Sequence, residues 1–488
     1  MKKVSIVFPD KIGEIAPEIY GHFSEHIGGV IYGGIWVGKD SKIPNIKGWR
    51  KEFIEKFKKI NPPVLRWPGG CFAETYHWRD GIGENRPIRR NWWDFADGKY
   101  EPNEVGTHEF MELCEILETK PYFAINITSI TPMEARDWMD YCLSPKGTTT
   151  LALEREENGH PEPFDIPYWG IGNENWGDGG EMTPNYYALE YRKFSAVLKN
   201  LKRKEDKLFV GGANAADYFW TEDVCKNLSK TRHTKYDGLT YHFYARPGEN
   251  GVDFGEDGWK KIIQVANQMD YLINRHFSFA KAYGIEDKMK LVVDEWGCWY
   301  KGGSGPSKGK NLFEQQSTVR DAVVSALTLN IFNNNCDKVQ MANVAQVCNN
   351  LHALFLAENE KFIETPTYYV FDMFKGHQGG KALKTIVSNN EELLSSVSVS
   401  SSVKDNTLTV TLANLSCTDD AELKLDLLGN EQKVISSTAV LLKGEHITSH
   451  NTFENPYTVV PEEEKAIDLS APITLPKAAV MLITVKLN

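Results

Sequence analysis

The chain has 488 residues, a formal net charge of -11, and 41% hydrophobic against 25% charged residues, enough apolar material for one large core and a smaller one. The acidic balance, without any long basic run, excludes a nucleic-acid partner. No apolar run approaches the ~20 residues of a membrane-spanning helix, so no membrane partner is expected and a neutral ligand is.

The apolar stretch after Met1-Lys2-Lys3 runs only from Val4 to Phe8 before Pro9-Asp10, too short for a signal-peptide core, which predicts a cytoplasmic protein. The eight cysteines are scattered without CxxC pairs, a pattern of free thiols rather than of a disulfide framework or a zinc site. Thirteen tryptophans and twenty tyrosines offer flat faces of the kind on which sugar rings stack.

In chain order, Lys3 to Phe8 reads as a strand that precedes the main domain and joins a later β-domain, so residues 1–15 are set apart. From 16 to 375 short apolar runs alternate with amphipathic segments. The predicted strands are Ile19 to Phe23, Val64 to Trp67, Tyr122 to Ile127, Tyr168 to Gly172, Leu208 to Gly212, Gly238 to Phe243, Leu291 to Asp294 and Val339 to Val344. Between them, Phe110, Leu113, Cys114 and Leu117 keep helical spacing. Tyr187, Tyr191, Phe194 and Leu198 follow a Thr183-Pro184 start suited to a cap and a first helical residue. Ile262, Val265, Met269, Leu272 and His276 continue the period through the longest helical segment. Eight strands alternating with helices predict an α/β fold, a (β/α)₈ TIM barrel. A doubly wound sheet would need a glycine fingerprint after the first strand, and none is present.

After Phe374-Lys375-Gly376 the helical period ends. Thr407 to Leu412 and Val480 to Val485 read as strands, predicting a jelly-roll-like all-β sandwich over 376–488. The run Ser395 to Ser402 fits either a flexible loop or a strand with small residues on its exposed face.

In a barrel of this kind the active site lies where the strands end. The polar groups at those ends are Ser24-Glu25-His26, Arg66 through Cys71, Asn173-Glu174-Asn175-Trp176, His242 and Tyr244, Asp294-Glu295-Trp296, and Gln346. Glu174 and Glu295 follow strands four and seven, which face each other across the barrel. One carboxyl to protonate a leaving oxygen and one to attack the anomeric carbon is the requirement of glycosidic cleavage. A donor or cation should keep Glu295 ionised while Glu174 is raised toward neutrality, and Arg66 and Tyr244 are the candidates for holding Glu295. His22, His26, His77 and His242 lack HxH or HExxH spacing and are assigned to supporting hydrogen bonds, with no metal and no cofactor expected.

The segments Gly21 to Gly28, Leu65 to Ala73, Tyr76 to Gly83, Tyr168 to Gly177 and Val293 to Trp296 resemble, in order, those of glycoside hydrolase family 51, the α-L-arabinofuranosidases. The resemblance implies a retaining, exo-acting enzyme that removes terminal arabinofuranosyl residues from oligo- or polysaccharides by double displacement. Glu174 would be the acid/base and Glu295 the nucleophile. It further implies furanose contacts by Glu25, Cys71, Asn173 and Gln346, with Asn173 suited to the 2-hydroxyl. Cys71, where many family members have Asn, either touches the sugar or fills apolar space beside it. Trp93 and Trp176 are candidates for an aromatic wall, and the segment 94–101 departs from the family's short connection. A homo-hexamer is also implied. The rival readings are an endo-β-glycanase on the same scaffold and a non-catalytic carbohydrate-binding protein.

Overall fold

The computed structural model describes residues 1–91, 93 and 100–488. Eight parallel strands close into a barrel: Gly21–Phe23, Val64–Trp67, Lys120–Ile125, Tyr168–Ile171, Lys207–Val210, Leu239–Ala245, Leu291–Cys298 and Val339–Ala345. The eighth pairs with the first, Val344 opposite His22. All eight predicted strands are present, with ends that shift by a few residues. The largest difference is strand seven, which continues past Asp294 to Cys298, so that Glu295 stands within a strand rather than just beyond one. Inside the barrel Val64, Tyr122, Tyr168, Phe209, Val292 and Met341 form a packed layer. That layer makes the barrel a filled core rather than a pore and leaves its C-terminal mouth for polar groups.

The helices form where the apolar period predicts them. Thr107–Leu117 buries Phe110, Leu113, Cys114 and Leu117. Pro184–Leu198 starts at Thr183, whose Oγ1 accepts from the Tyr186 N–H at 3.4 Å, and buries Tyr187, Tyr191, Phe194 and Leu198. The long segment expected around Ile262 to His276 is two helices, Glu256–Ala266 and Gln268–Ala282, interrupted at Asn267. Asn is among the poorer helix formers, and the buried face continues across the break through Met269, Leu272 and His276.

Residues Lys2–Glu14 form a strand between Lys381–Val387, to which it is antiparallel, and Ala421–Leu428, to which it is parallel. It belongs to an open nine-stranded sheet that otherwise comes from the C-terminal part of the chain. Val4, Ile6, Leu383, Leu408, Leu423, Ile473 and Ile483 from strands across the sheet share one core, so the sheet curls over on itself as a sandwich does.

The serine run is a strand, Val397–Lys404. Its serines are not on an exposed face. Ser400 and Ser402 are buried, Ser402 against His377 and Ser400 against the helix Val319–Asn334, which is itself buried nearly all round. There Asn330 Oδ1 accepts from Ser400 Oγ at 2.8 Å and Thr411 Oγ1 at 2.7 Å, while Asn333 Nδ2 donates to Ser400 Oγ at 3.0 Å and Tyr20 OH at 2.9 Å. Of the segment expected to depart from the family pattern, residues 94–99 lie outside the described residues, and Tyr100–Glu101 pairs with Arg89–Arg90.

Candidate active site

Strand two delivers Arg66 to the mouth, buried at 1% exposure. Its NH1 donates to Glu295 Oε1 at 2.8 Å and its NH2 to Asn173 Oδ1 at 2.5 Å, so one guanidinium spans strands two, four and seven. Tyr244 OH, from strand six, donates to Glu295 Oε2 at 2.8 Å. Both expected partners therefore hold Glu295, one on each oxygen. Gly70 is needed beside it, since a Cβ there would lie 2.7 Å from Glu295 Oε1.

Glu174 follows the turn at the end of strand four with a left-handed φ of 44°, a conformation costing about 1–3 kcal/mol for a non-glycine residue and kept only where the surroundings hold it. Its Oε1 lies 2.8 Å from His242 Nδ1, and its Oε2 accepts from Cys71 Sγ at 3.4 Å. Asn173 Nδ2 lies 3.6 Å from the same sulfur. Cys71 is thus a buried free thiol beside Glu174, and burial raises its pKa. Carboxylate oxygens of Glu174 and Glu295 and a nitrogen of His242 all lie within 4.8 Å of one another.

The floor of the site is Glu25. Its Oε1 accepts from Gly70 N at 2.9 Å, Phe72 N at 3.2 Å and Trp93 Nε1 at 3.1 Å, and its Oε2 accepts from Gln346 Nε2 at 3.0 Å. Trp93, Phe313, Trp299 and Tyr244 make a chain of edge-to-face rings, with the Arg246 guanidinium 3.7 Å from the Trp299 ring centre. Trp176 is half-buried against the main core; among the described residues no hydrogen bond joins it to the carboxylates.

His242 is the hub of the electrostatics. Its Nε2 lies 3.3 Å from Asp294 Oδ1, and its Nδ1 lies 2.8 Å from Glu174 and 3.5 Å from Glu295. Burial alone would lower it, but the charge of Glu295 and the bonds to Asp294 and Glu174 carry it up to about 10. Burial pulls Glu174 up, yet the hydrogen bond and charge of His242 outweigh it and leave Glu174 below its ordinary value. Burial raises Glu295, and the charges of His242 and Arg66 only partly offset that. The order in the free site is therefore the reverse of the expected one. The reason is that His242 bonds Glu174 directly, so that pair carries one proton between its two atoms. Burial and the Glu295 charge push Glu25 up to about 7.

His26 and His77 each pair with a glutamate other than Glu174 and Glu295. His26 lies 2.9 Å from Glu101 and accepts from Trp67 Nε1 at 2.9 Å, and His77 lies 2.9 Å from Glu134. His22 Nδ1 is buried without a partner, and burial lowers that ring to about 3. Among the described residues, Glu174–His242–Glu295 and Cys298–Asp321–His352 could each present three metal-ligating atoms. In the first the donors are engaged with one another, Arg66 and Tyr244. In the second His352 is engaged with Cys298 N and Ser325 Oγ.

Sequence reasoning missed Glu74, Tyr122, Trp299, Phe313 and Arg246, and placed Asp294 at a strand end without giving it a role. Asp294 accepts from Tyr122 OH at 2.8 Å and faces both Arg66 and His242. Trp299 was within reach of the strand alternation that begins at Glu295. Glu74 gave no comparable signal.

Family models for an α-L-arabinofuranosidase 1 domain and an α-L-arabinofuranosidase C-terminal domain match residues 56–256 and 294–478. An intracellular exo-α-L-arabinofuranosidase of Bacteroides ovatus is 37% identical over 95% of this chain and 91% of its own length. Two crystal structures share the fold throughout. The GH51 arabinofuranosidase of Xanthomonas axonopodis pv. citri has a TM-score of 0.92 and 33% identity over 99% of each chain. An α-L-arabinofuranosidase of Thermotoga maritima, as an arabinose complex, has a TM-score of 0.88 and 28% identity over 100% of each. With a closed barrel, two facing glutamates and relatives matched along nearly its whole length, this chain belongs to glycoside hydrolase family 51, the α-L-arabinofuranosidases.

Proposed function

We propose that this protein is a retaining, exo-acting α-L-arabinofuranosidase that removes terminal arabinofuranosyl units from oligosaccharides inside the cell. The observation that carries the mechanism is the approach of Glu174 and Glu295 oxygens to within 4.8 Å. That separation goes with the ~5–5.5 Å of double displacement and not with the ~6.5–9.5 Å that leaves room for an inverting water. Glu295, gripped by Arg66 and Tyr244, attacks the anomeric carbon. The proton shared by His242 and Glu174 passes from Glu174 to the departing oxygen. Glu174 then takes a proton from water, which opens the glycosyl-enzyme on the face the leaving group vacated, so configuration is retained.

Exo action is supported by the enclosed floor, where Glu25, Gln346, Asn173 and Cys71 are all buried and leave the Trp93–Phe313–Trp299 rings to meet what lies beyond the terminal sugar. The reading also takes support from the Bacteroides relative, named an intracellular exo-enzyme, and from the Thermotoga relative, described as an arabinose complex. A chromogenic α-L-arabinofuranoside assayed beside a chromogenic cellobioside tests it. Turnover of the first alone is expected. Preference for the cellobioside would transfer the site to an endo-β-glycanase.

A further inference from the structure

We propose that Glu74, which among the described residues makes no hydrogen bond to the Glu174 carboxyl itself, is the positioning residue that sets the place of the acid/base carboxyl. This rests on the reading of Glu174 as acid/base. Glu74 is 2% exposed, on the short turn Cys71–Thr75 that follows strand two. Its Oε2 accepts the backbone N–H groups of Ile127 at 2.9 Å and Thr128 at 3.0 Å, just past strand three. Its Oε1 accepts the backbone N–H of Asn173 at 2.6 Å and the side-chain amide of Asn175 at 3.1 Å. The last two flank Glu174 in the chain. One carboxylate therefore fastens both neighbours of the catalytic group to the strand before it.

The remainder of the loop is built on the same fastening. Asn175 Nδ2 and Thr128 Oγ1 both donate to Gly179 O, at 2.7 and 2.6 Å, and the N–H groups of Gly177 and Gly179 close back on Glu174 O. These bonds enclose the left-handed turn at Glu174. Glu74 also shares its turn with Cys71, whose thiol bonds Glu174 Oε2, so the acid group is referred to this segment through its backbone and through its side chain. Four N–H donors converge on two oxygens, and these bonds favour the ionised carboxylate against burial, which raises its pKa to about 7. A glutamine would turn its NH₂ toward one pair of N–H groups.

The test compares Glu74→Gln and Glu74→Asp with wild type and Glu174→Ala. Two substrates are used, arabinofuranosyl disaccharide, whose leaving group needs a proton, and 2,4-dinitrophenyl α-L-arabinofuranoside, whose leaving group does not. Circular dichroism establishes the folded fraction. For Glu74→Gln, kcat/KM on the disaccharide is expected to fall about 10²-fold, while the dinitrophenyl substrate changes by no more than about threefold. Glu74→Asp, which keeps both oxygens, should recover part of the loss. A purely structural carboxylate would lower both substrates equally, and that outcome, or no change in either, overturns the proposal. If Glu74→Gln does not fold, Asn175→Ala removes one of the four bonds and is read by the same ratio, with an equal or absent effect again overturning it. Glu174→Ala separates the two levels. Loss of selectivity in that variant sinks the acid/base reading and this inference together, whereas selectivity there but not in Glu74→Gln sinks the inference alone.

Discussion

At Glu295 an arginine takes one carboxylate oxygen and a tyrosine the other, whereas at Glu174 the partners are an imidazole and a thiol. The first environment suits the proposed nucleophile, since it supplies no transferable proton at neutral pH; the second suits the proposed acid/base, since it holds a proton on a group that can exchange it. Removing them should give opposite signatures. Glu295→Ala is expected to abolish turnover of every substrate, whatever its leaving group. Glu174→Ala should spare aryl glycosides of acidic phenols relative to sugar leaving groups, lower KM together with kcat, and respond to azide. Steady-state kinetics on a series of aryl arabinofuranosides measures this, and equal leaving-group dependence in both variants would overturn the roles. His242 also links the site to stability. Its pKa is raised to about 10 from an ordinary value near 6.5, so the folded protein binds a proton that the unfolded chain releases between those values. That contribution is complete below pH ~6.5 and is lost as pH rises through about 10. The thermal midpoint of the wild type should therefore fall over this window, and His242→Asn should show a flatter fall in a differential scanning measurement.

The eight barrel strands were legible because strands buried on both faces read as short apolar runs, and Trp67, Trp169 and Val293 carry that signal without any partner being known. The full extent of strand seven was not, since Glu295 and Gly297 interrupt its apolar run while the pairing of His242 with Glu295 and of Tyr244 with Gly297 continues. Glu74 was illegible for another reason. Three of its four donors are backbone N–H groups, which every sequence supplies and none advertises. The serine strand was open to two readings, and neither anticipated a buried polar seam, because polar residues at period two ordinarily face water. Here they face Asn330 and Asn333 of a helix that is itself enclosed. Asn330→Leu would remove the acceptor that Ser400 and Thr411 share, leaving them their contacts with each other, Asn333 and His377, at a net cost of about 1 kcal/mol per hydrogen bond lost. A lower urea midpoint with unchanged kcat is expected, and an unchanged midpoint would show that the seam does not hold the sheet to the barrel.

Across the whole molecule, the chain's two ends meet in one structure: Lys2–Glu14 enters a sheet otherwise formed after residue 380, and the sheet packs on the helix that links strands seven and eight. Strand seven carries Glu295, so the curled sheet packs behind the side of the barrel that presents this carboxylate, while the loop at Glu174 is held by the turn at Glu74. All eight cysteines are free thiols in buried positions, as their scattered spacing led one to expect. Among the described residues no helix is long and apolar enough to cross a membrane. The division of labour between the two glutamates is tested most directly by mass spectrometry of Glu174→Ala after brief incubation with 2,4-dinitrophenyl α-L-arabinofuranoside. Glycosylation then outruns deglycosylation, and the expected result is an adduct of one anhydro-arabinose on the peptide that contains Glu295. An adduct on any other residue, or inverted product from the wild type by NMR with no adduct in the variant, would contradict it.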